Sequence, residues 1–358
     1  MTDAKIYTAL GLMSGTSLDG IDAAVIQADG KSIHSLGPFE AQAYDPDFRG
    51  RLRAALGSKE VPTELEHDLT QLHAQLIQDL LKNHNLASAE IDVIGFHGQT
   101  ILHEPENQFT LQIGNGLLLA ELTGRPVVNN FRAADVAAGG EGAPLAPVYH
   151  QALAANFDHP VAIVNIGGVA NVSFINTDDL LAFDTGPGNA LIDDLVLTRT
   201  GKRFDQDGRL AAEGRTDKAI LADFLSHGFF DQPPPKSLDR NAFDISALEK
   251  LSLEDAAATL VAFTAEAIAR STVYFPETVG QWLVTGGGRH NPTIMKELSE
   301  RLGKTAEPVE SVGWNGDAIE AQAFAFMAVR SLLDLPLSFP ATTGVDEPMA
   351  GGELHQPK

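Results

Sequence analysis

The chain has 358 residues, 44% hydrophobic and 20% charged, with a formal net charge of −23 from 25 basic and 48 acidic side chains. That length predicts about two domains, and the acidic balance argues against nucleic acid or an anionic membrane as a partner. There is no cysteine, which excludes disulfides, thiolate nucleophiles and cysteine-ligated metals. The N-terminus lacks a secretory pattern and no apolar run approaches about 18 residues, so a soluble cytoplasmic protein is expected.

Short apolar runs that stop at glycine or polar turns predict strands over 6–13, 22–27, 92–97, 109–114, 161–168, 171–176 and 282–288. Between them, Leu65, Leu69, Leu72, Leu76 and Leu80 mark one helical face, and Thr63 with Glu66 reads as a capping box at its start. Residues 129–150 are rich in Gly, Ala and Pro and carry Arg132, Asp135 and Glu141, as expected of a long loop lining a site. The proline-rich stretch "DQPPPKSLDR" reads as a surface loop in which Lys236 and Arg240 are solvated. Broadly apolar helices are expected over 256–272 and 317–333. Another runs from 292 to 302, with Asn291 as cap, Pro292 in the first position and Gly303 at the exit. The last 18 residues read as a loop and tail without an assignable role. Strands mixed with helices make this an α/β protein.

The common nucleotide signatures are absent: no G-x-x-x-x-G-K-[ST], no dinucleotide fingerprint after a strand, no protein-kinase set and no H-E-x-x-H. Instead, "YTALGLMSGTSLDGIDAAVIQ" reads as strand, small-residue turn, strand, and "VAIVNIGGVANVSFIN" repeats that pattern in the second half. Each tip alone resembles an ordinary glycine hairpin. Together they suggest a duplicated architecture whose bare backbone N–H groups cradle phosphates. In "FDTGPGNALIDDLV", a strand ending at Asp184 meets a helix that starts near Asn189, which places a carboxylate where α/β sites assemble and where it can take a proton. "VTGGGRHNP" offers bare backbone to a flat ligand. In "GFHGQT", His97 and Gln99 point the same way from one strand, suiting substrate contact or structure better than proton transfer. Glu320 is the lone acid in "AIEAQAFAFM", either exposed or functional.

Taken together, and in this order, these motifs resemble the anhydro-N-acetylmuramic acid kinase family from about Gly11 to Leu333. The resemblance implies a two-lobed actin-like ATPase fold, a duplicated ribonuclease H-like α/β architecture with a ligand cleft between lobes, shared with hexokinase and the heat-shock chaperone ATPases. The expected lobes are 1–133, with the first phosphate hairpin, and 134–358, with the second hairpin, the Asp184 turn and the adenosine loop. By the same resemblance, Gly15, Thr16, Ser17, Leu18, Asp19, Gly20, Ile21 and Asp22 match the ATP phosphate segment. Gly167 and Gly168 match the second phosphate hairpin, and Gly286, Gly287 and Gly288 the adenosine side. Asp184 matches the catalytic base, and Glu320 assists it. Ser14, His97, Gln99 and Arg132 are the expected sugar contacts, Arg132 or the nearby backbone serving the lactyl carboxylate. Mg²⁺ accompanies ATP, with Asp19 or else Asp22 as its ligand through water.

The implied reaction opens the 1,6-anhydro ring of 1,6-anhydro-N-acetylmuramic acid with water and phosphorylates O6. It yields N-acetylmuramic acid 6-phosphate and ADP in peptidoglycan recycling, with a homodimer as the expected assembly. The alternatives are an ordinary sugar kinase of the same fold, which would leave solvent oxygen out of the product, and a non-enzymatic actin-like nucleotide-gated protein, which would release no ADP on sugar addition.

Overall fold

The computed structural model of the chain describes residues 5–15, 17–177 and 179–358. Its strands are β1 (Tyr7–Ser14), β2 (Gly20–Ala28), β3 (Ile33–Ala43), β4 (Val93–Glu104), β5 (Phe109–Ile113), β6 (Val127–Asn129), β7 (Val161–Ile166), β8 (Val169–Asn176), β9 (Asp179–Pro187), β10 (Gln281–Thr285), β11 (Ala306–Pro308) and β12 (Glu353–His355). The helices that shape the site are α1 (Pro46–Ala55), α2 (Thr63–Asn83), α3 (Ala190–Thr200), α4 (Leu253–Arg270), α5 (Pro292–Leu302) and α6 (Ile319–Leu332).

The chain divides into two compact units, one made of 1–155 with 318–358 and the other of 156–317. This division differs from the expected lobes of 1–133 and 134–358. The last forty or so residues return to the first unit because α6 packs on its sheet.

In the first unit the strand order is β12-β6-β4-β1-β2-β3, with β5 pairing on β4. Strands β1, β2 and β3 form an antiparallel meander, while β4 joins β1 and β6 joins β4 in parallel. One sheet face carries Leu10, Leu12, Ile94 and Phe96 into a core with Ala74, Ile77 and Leu80 of α2. The opposite face receives α6 at very close range. Gly11 and Gly95 are directly paired, and a Cβ on either would collide with the α6 backbone, at the Ala321 carbonyl and the Phe324 carbonyl respectively. Two glycines thus set the depth at which α6, and Glu320 at its first turn, lies on the sheet.

In the second unit the order is β11-β10-β7-β8-β9. Strands β7, β8 and β9 form the meander, and β10 and β11 add in parallel. The same sequence of pairings in both units bears out the duplication expected from the two hairpins. Ala162, Val164, Ile166, Ala170, Val172, Phe174, Phe183, Trp282 and Val284 share a core with Leu191 and Leu195 of α3, Leu260 and Phe263 of α4, and Ile294 and Leu298 of α5.

Several local expectations change. Thr63 is the first residue of α2 rather than its cap, the capping position is Pro62 without a side-chain bond, and the Glu66 carboxylate accepts instead from the Gly114 N–H at 3.1 Å. Asn291 caps α5 as expected, accepting from the Thr293 and Ile294 amides, and Gly303 ends it in the left-handed conformation. The predicted strand over 282–288 stops at Thr285, because Gly286 takes φ of 75° and starts a tight turn. The C-terminal segment is no loose tail: β12 pairs with β6, and the Thr343 hydroxyl donates to Asp135 at 2.6 Å. Among the described residues no helix is long and apolar enough to cross a membrane.

Candidate active site

In the second unit, alternation along the strands decides which residues are available for chemistry. Ala162, Val164 and Ile166 point into the core, so Asn165 faces the other way. By the same alternation Asn171, Asp184 and Thr285 share that opposite face. The register pairs Thr285 with Asn165, Asn165 with Asn171, and Asn171 with Asp184. A polar row therefore crosses four strands and ends in the carboxylate expected to act as base. Directly paired side chains have Cβ atoms about 5 Å apart, so Asn171 is the immediate neighbour of Asp184. Sequence reasoning had singled out Asp184 but missed Asn165 and Asn171. Their signal was present: both are polar at out-of-phase positions of otherwise apolar strands.

Asp184 does not end its strand, as expected, but lies inside β9, which continues through the Thr185 hydroxyl bond to the Ala170 carbonyl and the Val169–Pro187 pairing. It is half-buried, its N–H donates to the Lys236 carbonyl at 3.0 Å, and its Oδ2 accepts from the Leu238 N–H at 2.9 Å.

The β7–β8 tip, Gly167–Gly168, docks on the start of α3. The Asn189 N–H donates to the Gly167 carbonyl at 2.7 Å, and the Gly188 N–H to the Gly168 carbonyl at 2.9 Å. Only glycine fits at 188, where a Cβ would strike the Gly167 carbonyl. Because a trans peptide points its N–H opposite to its C=O, the Gly168 N–H is turned away from α3, and Gly168 is exposed. That is a bare backbone donor available to an anion. Gly286, Gly287 and Gly288 follow β10 beside the same tip: a Cβ at Gly286 would meet Asn165 Oδ1, and one at Gly288 would meet the Ile166 side chain. Arg289, which sequence reasoning passed over, locks this turn. Its side chain is buried, donates to the Gly286 carbonyl at 2.9 Å and pairs with Glu310 at 2.9 Å and Asp317 at 2.7 Å. The arginine helps hold the Glu310 carboxyl below its usual range. A cavity of about 360 Å³ in the same unit is lined by Ala211, Gly214, Ala258, Pro292, Thr293 and Lys296 among others.

In the first unit the β1–β2 hairpin carries 15–19 at its tip; Thr16 lies outside the described residues. The Leu18 N–H closes the turn on the Gly15 carbonyl at 3.1 Å, with Leu18 at φ of 56°. The Leu18 and Ile21 side chains are buried in the core, so both offer a ligand only backbone. Gly20 lies against the Gln42 carbonyl of β3. Ser17 is exposed at the tip, Asp19 is exposed and pairs with Arg49 at 3.3 Å, and Asp22 sits on β2 opposite Met13.

The expected sugar contacts separate into two groups. Ser14 and Gln99 are buried and bonded to each other at 2.5 Å, and the Ser14 hydroxyl also shares a 2.6 Å bond with Tyr44, a residue not singled out from sequence. His97 and Arg132 form the other group. His97 Nδ1 donates to the Gly98 carbonyl at 2.8 Å, which leaves Nε2 to accept from Arg132 at 3.1–3.2 Å. Burial, reinforced by the Arg132 charge, pushes the imidazole well below its usual pKa, so His97 is a neutral prop for the guanidinium. Gly98 takes φ of 71°, which interrupts plain alternation between His97 and Gln99. Arg132 also donates to the Gly142 carbonyl, and burial lowers it to about 10, leaving it cationic at neutral pH. The Glu320 carboxylate is exposed and favours the charged form of Arg132. Phe324, one turn further along α6, packs on the His97 ring at 4.5 Å. The loop beside Arg132 is organised by buried Asp135, which accepts from the Gly142 N–H and the Thr343 hydroxyl, both at 2.6 Å.

A profile for the anhydro-N-acetylmuramic acid kinase family matches residues 7–357. The chain belongs to that family. It is 54% identical over 353 residues to an anhydro-N-acetylmuramic acid kinase of Paramagnetospirillum magneticum, covering 98% of this chain and 99% of the relative. It is 51% identical to the enzyme of that name from Rhodospirillum rubrum, covering 98% and 94%. The chain is accordingly a kinase, a phosphotransferase acting in sugar metabolism. Among solved structures it resembles component A of (R)-2-hydroxyglutaryl-CoA dehydratase from Acidaminococcus fermentans. The TM-score is 0.51 at 13% identity, over 91% of this chain and 99% of that one, a likeness of fold alone. The fold is the two-lobed actin-like α/β fold expected from the sequence.

Proposed function

We propose that the chain uses ATP to open and phosphorylate 1,6-anhydro-N-acetylmuramic acid, with Asp184 as the base. The observation that carries the reading is the end of the polar row: a half-buried carboxylate with one oxygen fixed by the Leu238 N–H, next to the Asn171 amide and shortly before Gly188, whose N–H bonds to the glycine tip. Asp184 takes a proton from water as the water oxygen bonds to C1. The C1–O6 bond breaks, O6 bonds to the γ-phosphorus, the bond from that phosphorus to the β-phosphate oxygen breaks, and ADP leaves. The products are N-acetylmuramic acid 6-phosphate and ADP, a step of cell-wall recycling.

Such a transfer asks mainly for positioning and charge neutralisation. Gly168 and the Gly286–Gly288 turn supply backbone to the nucleotide, as do Gly15, Thr16, Ser17, Leu18, Asp19, Gly20, Ile21 and Asp22 in the first unit. Ser14, His97, Gln99 and Arg132 serve the sugar. Arg132, held by His97 and still cationic, suits the lactyl carboxylate, and Glu320 keeps its expected role as assistant to the base. Among the described residues no cluster of three or more His, Cys, Asp or Glu suited to a metal is found. Mg²⁺ needs no such cluster, because it keeps several waters and is bound through phosphates and one or two carboxylates. Asp19, exposed at the hairpin tip, would hold the ion through water, and the ion would supply neutralisation of phosphate charge. The homodimer and the cytoplasmic location of the family reading carry over to this chain, and light scattering checks the first.

Turnover in ¹⁸O-labelled water tests the hydrolytic step: label is expected at C1, and its absence points to an ordinary sugar kinase. Asp184→Asn is expected to lower kcat by about 10²- to 10⁴-fold, the range of a lost general base, with ADP affinity by calorimetry within about threefold. Retained turnover with lost nucleotide binding would contradict the assignment.

A further inference from the structure

The loop read from sequence as solvated is not solvated at Lys236. That side chain is 8% exposed, its ammonium donates to the Phe229 carbonyl at 3.1 Å, and it lies 4.4 Å from the Phe229 ring centre, 5.1 Å from Tyr274 and 5.9 Å from Phe183. Burial lowers its pKa. Arg240, by contrast, is an exposed partner of Asp194.

We propose that Lys236 is a positioning residue for Asp184, acting through the backbone of residues 236–238. The proposal rests on Asp184 being the base. Strand β9 ends the sheet order, so its outer edge has no strand partner within the sheet. At Asp184 residues 236–238 bond to that edge: the Lys236 carbonyl takes the Asp184 N–H, and the Leu238 N–H donates to one carboxylate oxygen. One short segment therefore fixes both the main chain and the side chain of the base.

What fixes the segment is the ammonium of Lys236. It bonds across the loop to Phe229, and one ring of its cage is Phe183, the residue directly before Asp184. A second tether comes from Tyr274, whose hydroxyl donates to the Gln232 carbonyl at 2.8 Å and the Phe230 carbonyl at 3.3 Å. Burying an ammonium is costly unless it is bonded. A loop that needed only packing would do as well with an apolar side chain, whereas a cation among three rings is attracted to all of them and sets one loop position.

The test is Lys236→Met, which keeps the apolar stem and removes the ammonium, with Lys236→Arg as the conservative variant and Asp184→Asn in parallel. A carboxylate displaced by a fraction of an ångström is expected to lower kcat by about tenfold or more while the KM values for ATP and sugar stay within about twofold. Lys236→Arg is expected to recover most of the loss. Hydrogen exchange of the Leu238 amide is expected to speed up by about tenfold or more in Lys236→Met. Wild-type kcat in Lys236→Met, or unchanged Leu238 protection, overturns the proposal. So does a fall in kcat accompanied by an equal rise in both KM values, the mark of a merely loosened unit. If Lys236→Met does not fold, Tyr274→Phe decides: a kcat loss of about threefold at constant KM supports the clasp, and wild-type kcat overturns it. Full turnover in Asp184→Asn would instead refute the base assignment, and the exchange measurement then judges the clasp by itself.

Discussion

The two units run through the same strand pairings, a meander followed by two parallel additions, yet they place their acids differently. In the first unit the register from the end of β1 reads Met13, Asp22, Ala41 across the meander. In the second it reads Asn165, Asn171, Asp184. The acid sits on the middle strand in one and on the edge strand in the other. The hairpin tips differ too: two residues, docked on a helix start, in the second unit, and five in the first, with Leu18 plugged into the core. The duplicated frame fixes where strand ends lie, and the two units differ in the side chains that they place at one register position.

The sharpest way to break this comparison is to neutralise each acid. Asp184→Asn should remove turnover over the range given above. Asp22→Asn, by calorimetry and steady-state kinetics, should act chiefly on nucleotide affinity and leave kcat within about tenfold. Equal loss of kcat in both variants would mean that the edge-strand position holds no special place.

Close approach of α6 is the next target. Gly11→Ala puts a methyl group against the Ala321 carbonyl and should destabilise the protein by about 3 kcal/mol or more in denaturant unfolding, the upper end for overpacking against backbone. A variant as stable as the parent would show that α6 slides freely on the first sheet.

Arg132→Gln should raise the sugar KM by about tenfold or more, as expected when a charged hydrogen bond is lost, with the KM for ATP nearly unchanged. An effect on ATP alone would move Arg132 out of the sugar group.

A pH series is the mildest probe. His73 and His150, both in the first unit, are pulled down to about 4 by burial, against about 6.5 in an unfolded chain. Between those values the unfolded chain binds protons that the folded chain does not, so stability is full above about pH 6.5 and falls as pH drops toward 4. Each imidazole contributes a slope of about 1.4 kcal/mol per pH unit in that window. His73→Leu should flatten the slope by about that amount, and an unchanged slope would mean that His73 is not buried neutral.

Much of the candidate site was legible because its residues are contiguous. "DTGPGN", "NIGG" and "TGGG" are turns whose glycines answer to local contacts, such as Gly188 against Gly167, and strand alternation put Asp184 on a definite face. Lys236 was misread because nothing within its own decapeptide tells that Phe183 and Tyr274, some fifty and forty residues away, will enclose it. Thr63 and Glu66 had the spacing of a cap, but Gly114 competed for the carboxylate and won.

The sequence by itself determined the α/β class, the duplicated hairpins, the family and the identity of the expected base, since each depends on periodicity and short-range turn chemistry. Only the tertiary structure decided that Asn165 and Asn171 line up with Asp184, that α6 belongs to the first unit, and that Lys236 is a buried cation beside the edge strand. Those facts depend on strand register and on side chains meeting across long sequence separations, where burial and hydrogen bonding, rather than local propensity, settle which of several partners is chosen.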